Sequence, residues 1–200
     1  KMVQEYLSYV TQSSANIQYV KNVMQALLTK PEELESLERL LYDKVQQNPD
    51  VEVYSDLLIW VTMQQKNFYA SFIQARAYDK RYKREGEKSL EVARVALDND
   101  DYDNASRIYR YVIREYRGTS NHLLARLGLI RTREARVKRT FPVNADSVQA
   151  LIEDYEKFIT EYPSNPNSLE AARNQALVYA NYLDQKSSAI EILNQLTNNS

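Results

Sequence analysis

Apolar residues recur along this 200-residue chain with the three-and-four spacing of amphipathic helices, and several of these stripes repeat at a longer period. Leu34, Phe68 and Tyr102 stand 34 residues apart, as do Leu37, Ser71 and Ala105, and Leu41, Ala75 and Tyr109. Two longer steps, of 46 and 38 residues, carry the Ala105 column on to Leu151 and Ala189, followed four residues later by Tyr155 and Leu193. A period of this size belongs to helical hairpins that bury their apolar faces only against their neighbours, so the pattern predicts an all-α stack.

Taken in order, residues 2 to 29 read as helical, with Tyr19, Val23, Ala26 and Leu27 as the apolar stripe and a break at Thr11–Ser14. Lys30-Pro31-Glu32-Glu33 starts the next helix, because proline suits a first turn and the glutamates complement the positive end of the helix dipole. Its stripe is Leu34, Leu37, Leu40, Leu41 and Val45, ending before Asn48-Pro49. Residues 51–65 are apolar on nearly every side, which predicts a helix covered on more than one flank. Its partner is 69–84, and the following pairs are 87–97 with 103–116, 121–139 with 147–162, and 168–183 with 187–196. Asp101 or Asp103 caps the helix that begins near 103. About ten antiparallel helices result, in one domain over 1–200 with units at 15–49, 51–84, 87–117, 121–163 and 166–197, residues 1–14 forming a partial or capping helix.

Composition narrows the chemistry. Three glycines and five prolines leave little material for hairpin turns or phosphate-cradling loops. Without cysteine there is no disulfide, thiolate metal site or cysteine nucleophile. No run of 18 apolar residues and no basic-then-apolar leader is present, and a start at Lys1 without methionine reads as a fragment or a processed product. The net charge of −1 hides an uneven distribution: residues 76–139 hold 17 basic against 10 acidic side chains, while both flanks are acidic.

Tyr102, Ala105, Tyr109, Val112 and Ile113, then Val148, Leu151, Tyr155, Phe158, Ile159 and Pro163, resemble the columns of the tetratricopeptide repeat family. That pattern has an aromatic at the turn, a small residue where two helices cross, a large apolar residue four places on, and a terminating proline. Leu151 in place of the small residue, Lys186 in place of the turn aromatic, and an early glycine present only as Gly128 are departures. The resemblance implies a right-handed α-α superhelix whose first helices line a concave groove and whose second helices line the outside. Glu161-Tyr162-Pro163-Ser164-Asn165-Pro166, followed by Glu170-Ala171-Ala172, is similar to long-period repeats of bacterial envelope proteins, which favours periplasm or envelope over cytoplasm.

No catalytic pattern emerges. His122 is single and has no partner at ligand spacing, so it reads as a helix-start residue. Glu153 with Glu156, and Asp100 with Asp101, read as solvated faces or caps. Nucleophile, nucleotide-binding and zinc signatures are missing, which predicts a protein that is not an enzyme and takes no cofactor or metal.

Two basic clusters remain. Arg107, Arg110, Arg114 and Arg117 lie opposite Tyr109, Val112, Ile113 and Tyr116, so they face away from the core, as a solvated stripe or as a docking strip for an acidic partner, phosphate or head group. Arg126, Arg133 and Arg136, with Arg131, Lys138 and Arg139 nearby, sit on a first helix, which the resemblance turns toward the groove; the alternative is ion pairing to the acidic flanks. Asn174, Asn181 and Arg173 are the nearest counterparts of the residues with which the chaperone-tail-binding subset grips its peptide, and they do not reproduce that set. Most of the sixteen tyrosines read as core, Trp60 likewise, with Tyr111 and Tyr179 as candidates outside the core stripe.

The candidate partner-binding set is therefore Arg126, Arg133, Arg136, Asn174, Tyr179 and Asn181. The expected function is a non-catalytic scaffold that binds a protein or peptide, acidic in the charge-based version, in a groove. The alternatives are RNA binding through 76–139, opposed by the acidic flanks, or a spacer within a larger protein.

Overall fold

A computed structural model describes residues 2–198. Among them are eleven α-helices and no strand: α1 (Met2–Gln12), α2 (Ile17–Leu27), α3 (Pro31–Gln47), α4 (Glu52–Gln64), α5 (Phe68–Tyr82), α6 (Glu87–Asp98), α7 (Tyr102–Glu115), α8 (Ser120–Arg139), α9 (Ala145–Glu161), α10 (Pro166–Tyr182) and α11 (Lys186–Asn198), with a short 3-10 turn at Ser14–Asn16. None is long and apolar enough to cross a membrane. The helix starts follow from local chemistry. Glu33 accepts hydrogen bonds from the Thr29 and Lys30 amides at the head of α3, and Asn67, Asp101, Thr119, Asn144 and Asn165 cap α5, α7, α8, α9 and α10 by accepting from backbone amides within the first turn. Of the two aspartates expected at the α7 start, Asp101 is the one that caps.

The chain divides into two compact units, residues 1–104 and 105–200. Neighbouring helices pack in sequence, α3 on α4, α4 on α5 and α5 on α6 in the first unit, and α8 on α9, α9 on α10 and α10 on α11 in the second. Two of the three repeating columns are interior: Leu37, Ser71, Ala105, Leu151 and Ala189 are all buried, as are Leu41, Ala75, Tyr109 and Tyr155, whereas in the third Phe68 is buried and Leu34 and Tyr102 are half-buried. The last hairpin departs from the pattern, because Ile190 and Leu193 match core columns in sequence yet stand 57 % and 41 % exposed. The described helices cover only the Ala189 side of α11.

Two other expectations are corrected. In α2 the inward face is Val20, Lys21 and Met24, supported by Ile17 and Leu28, whereas Tyr19 and Leu27 are exposed. The helix carries two interleaved apolar stripes, and the buried one contains a lysine, which a pattern of hydrophobicity passes over. Tyr111 is not outside the core: it is 6 % exposed, its ring edge-to-face with Tyr116 at 6.0 Å. The apolar side of α7 is wider than the stripe read from the sequence.

Lys21 is buried because of what it meets. Its ammonium pairs with Asp56 on α4, which also binds the Lys88 ammonium from α6, and Lys88 reaches Glu91 at 2.7 Å. Asp56 thus joins three helices of the first unit through one carboxylate. Burial pushes its carboxyl up, yet the two ammonium groups outweigh burial and hold it below the ordinary 3.8. Beside it, Asp79 on α5 accepts from the Lys88 and Ser89 amides at 2.9 Å and from the Ser89 hydroxyl at 2.7 Å. Gly86, at the head of α6 with φ 85°, has no side chain to cap that helix, so Asp79 supplies the acceptor from the preceding one.

These two carboxylates respond to acid with opposite signs. Asp56 is ionised more readily folded than unfolded, so its stabilisation is complete above about pH 4 and is lost as pH falls further. Asp79 is held above its ordinary value, chiefly by burial, so the folded state takes up its proton first and stability declines as pH rises through that window. Urea unfolding from pH 6 down to 2.5 is expected to show a shallower acid decline for Asp56→Asn than for the parent; equal slopes would contradict the assignment.

Candidate functional site

The second unit gathers most of the candidate set. α8 and α9 run antiparallel, and their charges are in step: Arg126 pairs with Glu161, and Arg133, seven residues further along α8, pairs with Asp154, seven residues back along α9. From the same helix Arg131 pairs with Glu170 on α10, and Lys138 meets Glu134 at 2.6 Å. The acidic residues of α9 and α10 therefore neutralise much of α8, so ion pairing to the acidic flank accounts for Arg126, Arg131 and Arg133.

Arg126 is the most enclosed of these, with its side chain 20 % exposed. Its guanidinium lies 5.7 Å from the Phe158 ring centre and 5.1 Å from that of Tyr162, and donates to the Tyr162 hydroxyl at 2.8 Å. Burial by itself would lower its pKa, but the hydrogen bonds to Glu161 and Tyr162 raise it above the ordinary guanidinium value, so it stays charged. Arg126→Ala is expected to lose about 1–2 kcal/mol through ring packing and hydrogen bonds together, read as a lower thermal midpoint. An unchanged midpoint would mean the contacts contribute nothing net.

Arg133 and Arg136 border a small cavity of about 260 Å³ where α8 ends and α9 begins, lined also by Val137, Thr140, Asn144 and Ser147. On α10, Asn174 is half-buried near Tyr155, whose hydroxyl donates to Glu134 at 2.6 Å. Burial, with the Glu134 carboxylate, drives the Tyr155 hydroxyl far above its ordinary range. Tyr179 is half-buried against the core of this unit, and Asn181 is exposed. Of the six candidates, Arg133 and Arg136 are brought to one cavity, Arg126 and Arg133 are drawn into ion pairs with α9, and Arg133, Arg136 and Asn181 are exposed.

The other basic cluster behaves differently. Arg107, Arg110, Arg114 and Arg117 are all exposed, while Tyr109, Val112 and Ile108 on the opposite side of α7 are buried, so the outward orientation read from the sequence holds. His122 sits at the start of α8 with Nδ1 3.1 Å from the Ile113 carbonyl oxygen. Glu153, Glu156 and Asp100 are exposed, and Trp60 is buried. The Asp56 cluster was not singled out by sequence reasoning, although the one charged residue within the mostly apolar run Val53–Met63 is the signal that could have found it. Among the described residues no group of three or more histidine or carboxylate side chains is arranged to hold a metal. The first unit also has an open cleft of about 760 Å³ between the start of α3 and the α4–α5 turn, bordered by Leu34, Glu38, Tyr42 and Gln65.

No family model matches the chain, and no curated protein does. Among solved structures it is similar to the crystal structure of nearly identical TPR-like repeats from a putative kinesin light chain of Podospora anserina, with a TM-score of 0.54, 16 % identity, and 94 % of this chain and 95 % of that one covered. At that identity the likeness concerns the fold, which is that of a TPR-like helical repeat.

Proposed function

We propose that this chain is a non-catalytic protein–protein interaction scaffold that holds a peptide or a partner helix in a groove formed by first helices, with α8 and α10 contributing Arg133, Arg136, Tyr179 and Asn181. The observation that carries this reading is the burial of the repeating columns from Leu37 to Ala189 in helix–helix contacts. The interior is used for stacking, and the buried charges of the first unit are satisfied by one another, which leaves the solvent-facing sides of the helices for binding. Extended surfaces of this kind bind by many weak contacts and a few anchors.

Selection of random 12-residue peptides on the immobilised protein tests the proposal. A selected peptide is expected to lose about tenfold in affinity, roughly 1.4 kcal/mol, on Arg136→Ala or Tyr179→Ala. Failure to enrich any peptide over a blocked surface, or affinity indifferent to substitution along α8 and α10, would remove the groove reading.

A further inference from the structure

We propose that the outward arginine face of α7 is a docking strip for an acidic helix of a protein partner. Arg107, Arg110 and Arg114 follow a three-four spacing, so three guanidinium groups lie along one helix face about 10 Å long, and Arg117 adds a fourth in the turn just past the helix end. All four are exposed. Between Asp103 and Glu134 the sequence has a single acidic residue, Glu115, and it meets its neighbour Arg114 at 2.7 Å.

The contrast with α8 is the decisive point. There each of Arg126, Arg131 and Arg133 finds an acid on α9 or α10, whereas Arg110 and Arg117 make no ion pair among the described residues. Like charges at three- and four-residue spacing destabilise a helix by about 0.2–0.5 kcal/mol per pair, so the face is retained against its own repulsion. A second helix bearing carboxylates at the same spacing relieves that repulsion and offers each guanidinium a bidentate partner.

The surroundings select among anions. Single-stranded nucleic acid is held by bases stacking on fully exposed aromatics beside the charges, but Tyr109 and Tyr111 of this helix are 2 % and 6 % exposed, and Tyr102 and Tyr116 are half-buried. Membrane-surface helices carry an apolar face into the lipid, and here the apolar face of α7 is buried inside the protein. What is left outside is charge at helical spacing, which is complementary to another helix.

This inference rests on the scaffold reading and names a partner chemistry for a different face. The probe is a fluorescein-labelled, alanine-based 20-residue peptide with glutamate at alternating three- and four-residue steps, with a glutamine version as control, a 20-nucleotide oligouridylate, and phosphatidylserine vesicles. By anisotropy at about 50 mM salt the glutamate peptide is expected to bind, and to weaken about tenfold or more near 300 mM as screening shortens the range of the charges. Arg110→Glu/Arg117→Glu is expected to reduce affinity at least tenfold, and Arg110→Gln/Arg117→Gln by less, whereas Arg39→Gln, an exposed arginine of α3 that belongs to neither surface, changes it less than about twofold. Wild-type affinity in both α7 variants overturns the proposal. So does preferential binding of oligouridylate or vesicles that the same variants abolish, which would assign the strip to phosphates. Unchanged circular dichroism confirms that the exposed substitutions leave the helices intact. If the α7 variants lose the glutamate peptide but still bind a peptide selected through Arg136 and Tyr179, both proposals stand; loss of the selected peptide alone on Arg136→Ala separates the groove from the strip.

Discussion

Asp56→Ala is expected to be the most damaging single substitution in the first unit, lowering stability by about 3–5 kcal/mol. The reason lies in what remains behind. Lys21 is 8 % exposed and the Lys88 side chain 16 %, so removing their shared carboxylate leaves two enclosed ammonium groups, with Glu91 as counterion to only one. For a chain of this length each kcal/mol shifts the thermal midpoint by about 2–4 °C, so a drop of roughly 6–20 °C is expected. Lys21→Met is milder, because Asp56 keeps Lys88 and the new side chain suits the buried face of α2. Lys21→Met combined with Asp56→Leu recovers much of the loss of Asp56→Ala, since Lys88 then faces Glu91 alone and the desolvated pair is gone. Chemical denaturation of the four proteins checks the order. Equal stability of Asp56→Ala and the parent would show that water, not the carboxylate, satisfies the two lysines.

Gly128→Ala is the second large effect, and it runs against helix propensity. Alanine in the interior of a helix is favoured over glycine by about 1 kcal/mol. At Gly128 on α8, however, a new Cβ would overlap the Cε1 and Cζ carbons of Tyr109 and lie 2.9 Å from its hydroxyl oxygen. Tyr109 is 2 % exposed, so its ring has no open space to swing into. Overpacking of this kind typically destabilises by about 1–3 kcal/mol, which exceeds the propensity gain. A net loss of stability in Gly128→Ala, relieved in Gly128→Ala/Tyr109→Leu relative to the sum of the single changes, is the expected cycle. A stabilised Gly128→Ala protein would mean that α7 and α8 part readily at this point.

The cycle also shows how far the sequence could be read. Gly128 was visible there as the one early glycine matching the repeat pattern, and Tyr109 as a column residue four places after Ala105; that the ring of one lies on the backbone of the other required α7 and α8 to be placed. The same holds for α8. The sequence offered two readings of its arginines, a groove face and ion pairing to the acidic flanks, and the antiparallel register with α9 brings Arg126 to Glu161 and Arg133 to Asp154. The face of α2 was misread because periodicity ranks faces by hydrophobicity, and a buried lysine is ranked wrongly when its partner lies far along the chain; Tyr111 was misread because the buried side of α7 is wider than its apolar stripe.

Helix number, helix limits and the repeating columns were determined by the sequence itself, because they depend on short-range physics: three-and-four spacing, caps such as Asp101 and Asn144, and prolines at helix starts. Which charges are consumed and which remain available was decided only by the tertiary structure. Lys21, Asp56 and Lys88 are separated by more than thirty residues at each step, and Arg131 and Glu170 by 39. An ion pair between such residues depends on the distance at which packing sets two helices, and no local pattern encodes it.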